Sequence, residues 1–382
     1  MLLEATARGA DGRDTSGWFV LDTGAGYLVL DASLAVRLGA ADSGSTGPIG
    51  VAARPLTRFS LAGLDMDQVG PVLTFNGDII RRVADRPVLG LVGQRLLRDR
   101  ALWIDYESSR IALVPAGPGG TLEAAAAVDS SRRLLRGLLS SDAVPVPFRM
   151  SDDGKVLVKA RITGPREKSP TAWLTFALDT GASKCVLFEN TADSLTGAKT
   201  WQPSLHGLVA PTLIGEVRAR LVQATRMEVK EASAMAVDVA ILNSPLAADL
   251  SRVAGEAVHG LLGYSFLRQF MLACDYPHRV LWLDPIPDFR NDRPFEHSHV
   301  GLQVERNGGR ARVVAVVKGS PAERAGIRAG DEIVGVDGTS SGAVGIFELT
   351  RLMEGRPGTS IAITIRSSGV ETTHRLRRRR LL

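Results

Sequence analysis

The chain has 382 residues and 45% of them are hydrophobic, enough for two or three domains with ordinary hydrophobic cores. Its 46 Lys and Arg against 41 Asp and Glu leave a net charge of +5, too small and dispersed to indicate nucleic acid as the main partner. Two cysteines are too few for a disulfide framework, and no apolar stretch approaches the roughly 20 residues that cross a bilayer. The composition therefore predicts a hydrophobically folded protein without a transmembrane segment.

Both cysteines, Cys185 and Cys274, lie in apolar surroundings, so we expect buried, reduced thiols; a single bridge or a reactive thiol is the alternative. The opening residues MLLEATARGADG lack the basic region, long apolar region and cleavage site of a secretory signal. The chain as given predicts a cytoplasmic location, and a periplasmic or exported one if a leader precedes it.

One strand-and-turn pattern occurs twice. The segment WFVLDTGAGYLVLD starts at Trp18, and its variant TFALDTGASKCVLF starts at Thr175. Each follows a segment of alternating apolar and polar residues that predicts a half-buried strand. Asp22 therefore corresponds to Asp179 at an offset of 157 residues.

A second pair of segments extends the repeat. Residues 88–114 and 258–284 align without a gap, so that Gly90 corresponds to Gly260 at an offset of 170. Each copy contains an apolar-apolar-Gly strand, a short helix and a terminal hairpin, a rhythm typical of small all-β lobes. The predicted division is a first lobe, a linker with some helix, a second lobe and a small C-terminal module, covering residues 1–114, 115–147, 148–288 and 298–382.

The repeated Asp-Thr-Gly turn suggests a specific chemistry. It places a carboxylate at a strand end, and the glycine lets backbone amides approach the carboxylate oxygens. Two such carboxylates held close together cannot both ionise, so they share a proton, and one can act as base while the other acts as acid. That pair could activate water against a peptide bond without a metal or cofactor. The alternative is that both aspartates only accept hydrogen bonds at structural corners.

The motifs FVLDTGAG with VLGLVG, and FALDTGAS with HGLLGYSFL, resemble the retropepsin-type aspartic proteases, specifically their bacterial relatives. The resemblance covers about residues 2–284 and implies two β lobes within one chain, arranged as in the bilobed pepsin-like enzymes. It implies Asp22 and Asp179 as the catalytic dyad. It also implies that Thr23 and Thr180 bond across the lobe junction and that Gly24 and Gly181 hold the turns. By the same resemblance, Gly90 lies on the strand beneath the first aspartate and Gly260 on the strand beneath the second.

The chain departs from this family pattern in two ways. Arg95 and Ser265 stand where bacterial relatives often carry an Asp. No motif identifies the flap; by position, the Gly-bearing segments Ser45 to Ala53 and His206 to Gly215 are candidates, and either could equally be an ordinary hairpin.

Three further polar residues near these motifs are predicted to be structural. His259 precedes Gly260, but the mechanism needs no histidine. Asp105 and Asp275 recur in the repeat and each opens a turn between apolar strands, which is a common role of Asp.

The C-terminal module contains GSPAERAGIRAGDEIVGVDG, which is similar to the core of PDZ domains, above all those of bacterial proteases. Ser320 is predicted to cap a helix that begins at Pro321. By resemblance, the stretch HVGLQV, with Val300, Gly301 and Leu302, lies where the family binds a peptide C-terminus, although Gln303 replaces a second glycine. A PDZ fold used only for internal packing is the alternative. The last nine residues, HRLRRRRLL, are predicted to be a frayed, solvated terminus rather than a contact for a membrane or nucleic acid.

The sequence thus predicts a mainly β aspartic endopeptidase with a small α+β PDZ module that recognises substrate or a peptide C-terminus. No metal, cofactor or nucleic acid is expected, and the lobes are expected to pair within a monomer. One rival is a non-catalytic peptide-binding scaffold made of degenerate protease lobes and a PDZ module. The other keeps the enzyme but pairs its lobes between two chains.

Overall fold

The computed structural model describes residues 1–41, 49–52, 54–66, 69–84, 86–115, 133–196, 201–212 and 215–382. The fold is mainly β, with small helices between the strands. No helix in these ranges is long and apolar enough to span a membrane.

The first lobe is built on one eight-stranded sheet. Its elements are β1 (Leu2–Arg8), β2 (Asp14–Leu21), β3 (Leu28–Asp31), α1 (Ala32–Arg37), β4 (Ile49–Val51), β5 (Arg58–Leu61), β6 (Leu64–Asp65), β7 (Val72–Phe75), α2 (Asp78–Val83), β8 (Val88–Val92) and a 3-10 turn (Gln94–Leu96). The strand order is β4-β7-β3-β8-β2-β1-β5-β6. Strand β2, which leads into Asp22, pairs in parallel with β8.

The second lobe repeats this arrangement. Its elements are β12 (Arg149–Met150), β13 (Val156–Thr163), β14 (Leu174–Leu178), β15 (Cys185–Phe188), α3 (Glu189–Thr196), β16 (Leu205–Thr212), β17 (Gly215–Val229), β18 (Ala232–Leu242), α4 (Leu246–Ala254), β19 (Gly260–Leu262) and α5 (Tyr264–Leu267). The order β12-β13-β14-β19-β15-β18-β17-β16 places β14, which leads into Asp179, in parallel beside β19.

A third sheet joins the lobes. It contains β9 (Arg100–Asp105), β10 (Arg110–Pro115), β11 (Val144–Pro147), β20 (Phe270–Asp275) and β21 (Val280–Pro285), in the order β10-β9-β20-β21-β11. At its centre Trp103 lies opposite Ala273, its own counterpart in the repeat. Because equivalent residues face each other, an approximate twofold axis passes through this pair.

The C-terminal module has its own six-stranded sheet. Its elements are β22 (Ser298–His299), β23 (Leu302–Asn307), β24 (Arg310–Val316), α6 (Pro321–Arg324), β25 (Glu332–Val336), β26 (Thr339–Ser340), α7 (Ile346–Met353), β27 (Ser360–Ser367), β28 (Val370–Arg377) and β29 (Arg379–Arg380). The main order is β23-β24-β25-β27-β28, β26 pairs with β25, and β22 pairs separately with β29. Ser320 caps α6 as predicted, because its hydroxyl accepts the Glu323 N–H at 3.2 Å.

The hydrophobic cores follow this division. One large cluster contains buried side chains from both lobes and from the joining sheet, for example Phe19, Phe176 and Leu272. A separate cluster, which includes Val300 and Ile363, fills the C-terminal module. The two lobes are therefore one packed body and the module is a second.

Two expectations need correction. The basic C-terminal run is not frayed, because Val370–Arg377 pairs along its length with β27, and Arg379–Arg380 pairs with β22. The predicted linker ends in β11, an edge strand of the joining sheet, while residues 116–132 of that linker lie outside the described ranges. Both cysteines are free and buried, as expected.

Candidate active site

The two repeated aspartates stand at the ends of equivalent strands. Asp22 follows β2, and its N–H donates to the carbonyl of Val92 on β8 at 3.1 Å. Asp179 follows β14, and its N–H donates to the carbonyl of Leu262 on β19 at 3.0 Å. Each aspartate is thus fixed by the strand that carries the apolar-apolar-Gly segment.

Each carboxylate accepts hydrogen bonds from its own turn. Oδ1 of Asp22 accepts the N–H groups of Gly24 at 2.9 Å and Ala25 at 3.2 Å. Oδ1 of Asp179 accepts the equivalent N–H groups of the second turn, both at 2.9 Å. These bonds hold one oxygen of each carboxyl group against its own turn.

The glycine of each turn contacts the aspartate of the other. A Cβ built on Gly24 would lie 2.5 Å from Cγ of Asp179, and one built on Gly181 would lie 2.7 Å from Cγ of Asp22. No real side chain tolerates such contacts, so only glycine lets the two carboxyl groups come together here.

The threonines bind across the junction in a matched pattern. The N–H of Thr23 donates to the Thr180 hydroxyl at 3.1 Å, and the N–H of Thr180 donates to the Thr23 hydroxyl at 3.0 Å. The hydroxyls then donate to the carbonyls of Leu178 and Leu21 on the opposite strands. Both threonines are buried, so these four bonds hold the turns in fixed register.

The carboxyl groups of Asp22 and Asp179 are close enough to hydrogen-bond to each other. Burial raises the pKa of Asp22 above its ordinary range. Burial and the negative charge of Asp22 raise the pKa of Asp179 to about 8. The pair therefore retains one proton near neutral pH, and its titrations belong to both groups together.

The glycines of the apolar-apolar-Gly strands have a packing reason. A Cβ on Gly90 would lie 2.2 Å from the carbonyl oxygen of Val29 and 2.6 Å from the ring of Phe19. A Cβ on Gly260 would meet the equivalent carbonyl and ring, those of Val186 and Phe176, at 2.0 and 2.6 Å. Any larger residue would displace the strand beneath its aspartate.

The two turns are supported by different side chains. In the first lobe the guanidinium of Arg95 covers the ring of Tyr27 at 4.6 Å. At the corresponding place in the second lobe, the hydroxyl of Ser265 bonds to the carbonyl of Asp238 and to the N–H of Cys185. Arg95 and Ser265 therefore have structural partners of their own.

A buried ionic cluster that no motif in the sequence indicates lies behind the second turn. The Lys184 ammonium binds the Asp238 carboxylate, and Nε2 of His297 lies 3.0 Å from the same carboxylate. Glu296 adjoins them and pairs with Arg268 at 3.2 Å. The available signal was Asp238 itself, the single charged residue within the apolar strand ASAMAVDVAIL.

Asp238, Glu296 and His297 bring three potential ligand atoms within 4.8 Å of one another. Lys184 and Arg268 already supply positive charge to these carboxylates. The group therefore forms a balanced ion network, and we assign no metal to it.

A second residue that the sequence analysis missed is Gln94. Its buried side-chain amide donates to the carbonyl of Thr23, directly behind the first aspartate. Its Oε1 has no partner among the described residues. No sequence signal distinguishes this glutamine from others at the start of a short helix.

The polar residues predicted to be structural have structural partners. Nδ1 of His259 accepts the N–H of Thr175 at 3.1 Å, and burial lowers the pKa of this imidazole. The Asp105 carboxylate accepts two turn N–H groups, and the Asp275 carboxylate accepts the His278 N–H.

The flap candidates are only partly described. Of Ser45 to Ala53, only residues 49–52 fall within the described ranges, and they include β4. The second candidate lies in the hairpin of β16 and β17, whose residues 213 and 214 are outside those ranges. Both flap assignments therefore remain predictions.

In the predicted peptide-binding loop of the C-terminal module, one backbone N–H group already has a partner within the chain. Gly301 adopts a φ of 91°, and its N–H donates to Nδ1 of His299 at 3.1 Å. Burial lowers the pKa of His299 to about 4, so its neutral ring can accept this bond. The carbonyl of Val300 accepts the N–H of Ala322, and Leu302 begins the edge strand β23.

Comparison with protein families gives two matches. The model described as aspartyl protease matches residues 158–266, and the model described as PDZ domain matches residues 312–367. The first match lies in the second lobe and includes Asp179 and Gly260. The second covers most of the six-stranded module.

Individual relatives match parts of the chain. The carboxy-terminal processing protease CtpA of Bacillus subtilis is 38% identical over 71 residues, which are 19% of this chain and 15% of that protein. A probable CtpA-like serine protease of Staphylococcus aureus is 29% identical over 82 residues, which are 22% of this chain and 16% of that protein. The chain thus spans under a fifth of the length of these relatives.

A retropepsin-like aspartic protease from Rickettsia conorii is a structural neighbour, with 20% identity and a TM-score of 0.27; the alignment covers 38% of this chain and all of that one. By the two family matches the chain is protease-like: residues 158–266 are similar to the aspartyl protease family and residues 312–367 are similar to PDZ domains.

Proposed function

We propose that the chain is an aspartic endopeptidase whose Asp22 and Asp179 together activate water against a peptide bond. The observation that carries this proposal is the reciprocal contact of the two turns, in which Gly24 packs on Asp179 and Gly181 packs on Asp22. Structural corners would not require each glycine to make room for the other lobe's carboxyl group. The same contact favours a site completed within one chain over a pairing between two chains.

The reaction uses the shared proton. The ionised carboxylate takes a proton from water as the water oxygen attacks the peptide carbonyl carbon, and the neutral carboxyl group protonates the carbonyl oxygen. The resulting tetrahedral diol collapses when the dyad proton moves to the amide nitrogen and one diol hydroxyl returns its proton to the other carboxylate, so that the C–N bond breaks and the amine leaves. The dyad ends with one proton, as it began.

We further propose that the PDZ module binds an extended peptide through β23. This strand is at the edge of its sheet and faces α7, so its free edge can pair with a peptide backbone. Capture of a terminal carboxylate by the Gly301 N–H requires His299 to release that N–H first.

The mechanism can be tested with a peptide-library cleavage assay on the full chain. We expect cleavage to be fastest below neutral pH, to be blocked by pepstatin and to be insensitive to a serine-directed fluorophosphonate. Asp22→Asn should reduce kcat/KM by about 1,000-fold or more, because the one remaining carboxyl group cannot act as base and acid in the same step. Cleavage that survives this substitution and is blocked by the fluorophosphonate would instead favour the serine-type chemistry named for the CtpA-like relatives.

A further inference from the structure

The outward face of β23 in the PDZ module contacts both lobes. Leu302 and Val304 point into the core of the module, so Gln303 and Glu305, which alternate with them, point to the opposite face of its sheet. On that face Gln303 reaches the second lobe and Glu305 reaches the first. One strand of the PDZ module therefore touches two other parts of the molecule.

Gln303 binds the hairpin of β16 and β17. Its Oε1 accepts the N–H of Val209 at 3.0 Å, and its Nε2 donates to the carbonyl of Val209 at 2.6 Å. Strand β16 is the edge of the second-lobe sheet, so the Gln303 amide satisfies both outward backbone groups of one edge residue. The Gln303 side chain thus makes the two hydrogen bonds to Val209 that the backbone of a neighbouring strand would otherwise make.

Two neighbouring contacts bring the backbones close together. The N–H of Lys318 donates to the carbonyl of His206 at 3.1 Å. Gly207 has a φ of 86°, and a Cβ at this position would lie 2.7 Å from the carbonyl oxygen of Val316. A side chain at residue 207 would separate the hairpin from the PDZ module.

Arg82, on α2 of the first lobe, completes the junction. Its guanidinium lies 3.8 Å from the carboxylate of Glu216 on the hairpin and 3.9 Å from that of Glu305. Helix α2 also carries Ile80, which packs in one cluster with Ala25 of the first Asp-Thr-Gly-Ala turn. The hairpin thus extends from the second lobe to the helix beside Asp22.

We propose that Gln303 is a positioning residue that holds the β16–β17 hairpin across the two lobes, so that the PDZ module controls how firmly this hairpin closes on a bound peptide. This proposal rests on the endopeptidase function proposed above. Gln303 carries more of the contact than Arg82, because partly exposed ion pairs near 4 Å contribute little.

Hydrogen–deuterium exchange tests the contact without any need for catalysis. In full-length protein carrying Asp22→Asn, adding Gln303→Ala should speed exchange of the 205–212 amides by about fivefold to tenfold, the effect of losing a net hydrogen bond. Lys318→Ala is the matched control, because the hydrogen bond of Lys318 to the described part of the hairpin comes from its backbone N–H, which the substitution keeps. Unchanged exchange in the Gln303→Ala protein would overturn the proposal, whatever the result of the cleavage assay.

Steady-state kinetics test the consequence for the reaction. In the protein with both aspartates intact, Gln303→Ala should lower kcat/KM by about fivefold, mainly through KM, because a looser hairpin must be ordered when substrate binds. Gln303→Glu should behave like Gln303→Ala, since a carboxylate cannot donate to the Val209 carbonyl. Faster exchange with unchanged kcat/KM would overturn the positioning role while leaving the dyad intact.

Discussion

At each Asp-Thr-Gly turn, the glycine serves the aspartate of the opposite turn. From the sequence, this glycine is expected to let backbone N–H groups approach the carboxylate of its own turn. The structure has the corresponding N–H to carboxylate hydrogen bonds at both turns. The further reason is the absent Cβ, which leaves space for a carboxyl group from the other lobe. That reason cannot be read from one turn, because Asp179 lies 155 residues from Gly24 in the sequence and Asp22 lies 159 residues from Gly181.

Gly24→Ala should therefore impair the reaction without unfolding the chain. The new methyl group would press on the Asp179 carboxyl group and move it from its partner, and small displacements of reacting groups are costly. We expect kcat/KM to fall by at least about 100-fold in the peptide-cleavage assay. Gly181→Ala should behave alike, because its methyl group would press on Asp22.

Gly137→Ala is a suitable control for this pair. Gly137 lies in the helical stretch 133–137, and a Cβ there would meet nothing within 4 Å. Its substitution should leave cleavage unchanged and alter the unfolding free energy by no more than about 1 kcal/mol. Equal effects at Gly24 and Gly137 would contradict the proposed contact between the turns.

The elements that support the two turns are not symmetric, although the turns are. The second turn leads through Lys184 to β18, where Asp238 is 1% exposed and held by Lys184 and His297. Burial alone would raise the pKa of the Asp238 carboxyl group. The hydrogen bond from His297 and the positive charge of Lys184 outweigh this effect and hold that pKa well below its usual range. The first turn has a cation-π contact at the equivalent place.

Asp238→Asn should destabilise the second lobe in a pH-dependent way. Because the folded-state pKa is lowered, the carboxylate stabilises the fold above the unfolded pKa of about 4, and this contribution is lost as pH falls toward the folded pKa. We expect a loss of about 3 kcal/mol in the free energy of unfolding at pH 7, measured by urea titration, and a smaller loss at pH 3.

Asp249→Asn provides the comparison within the same lobe. It breaks a pair with Arg252 in which both side chains are largely exposed, so it should change the unfolding free energy by less than about 1 kcal/mol. A loss for Asp238→Asn that is equally small, or that does not vary with pH, would contradict the role given to the buried network.

The elements themselves were largely predictable, because short-range patterns specify them. The strand before each turn, the short helices after Gly90 and Gly260, and the cap at Ser320 follow from alternation, breakers and capping residues. Strand β11 and the paired C-terminal arginines were not predicted. Their strand conformation depends on pairing with strands that are distant in the sequence, and the local sequence does not indicate those partners.

At the scale of the whole molecule, the internal repeat becomes a two-lobed body with one shared core. In the joining sheet Trp103 lies opposite Ala273, its own counterpart, while Leu102 and Ile104 each lie opposite the counterpart of the other, Cys274 and Leu272. The crossed threonine bonds obey the same symmetry. The repeat in the sequence predicted that Asp22 and Asp179 correspond. The contact between the PDZ module and the hairpin could not be predicted in this way, because three segments distant in the sequence form it only after folding.

The central claim is that Asp22 and Asp179 form one reactive site, and non-additivity tests it most directly. We would measure kcat/KM for Asp22→Asn, Asp179→Asn and the double variant on one peptide. Each single substitution should remove the shared proton chemistry, so the double variant should lie within about threefold of the singles. A double variant whose loss equals the product of the two single losses, or a single variant that keeps its rate, would contradict the account.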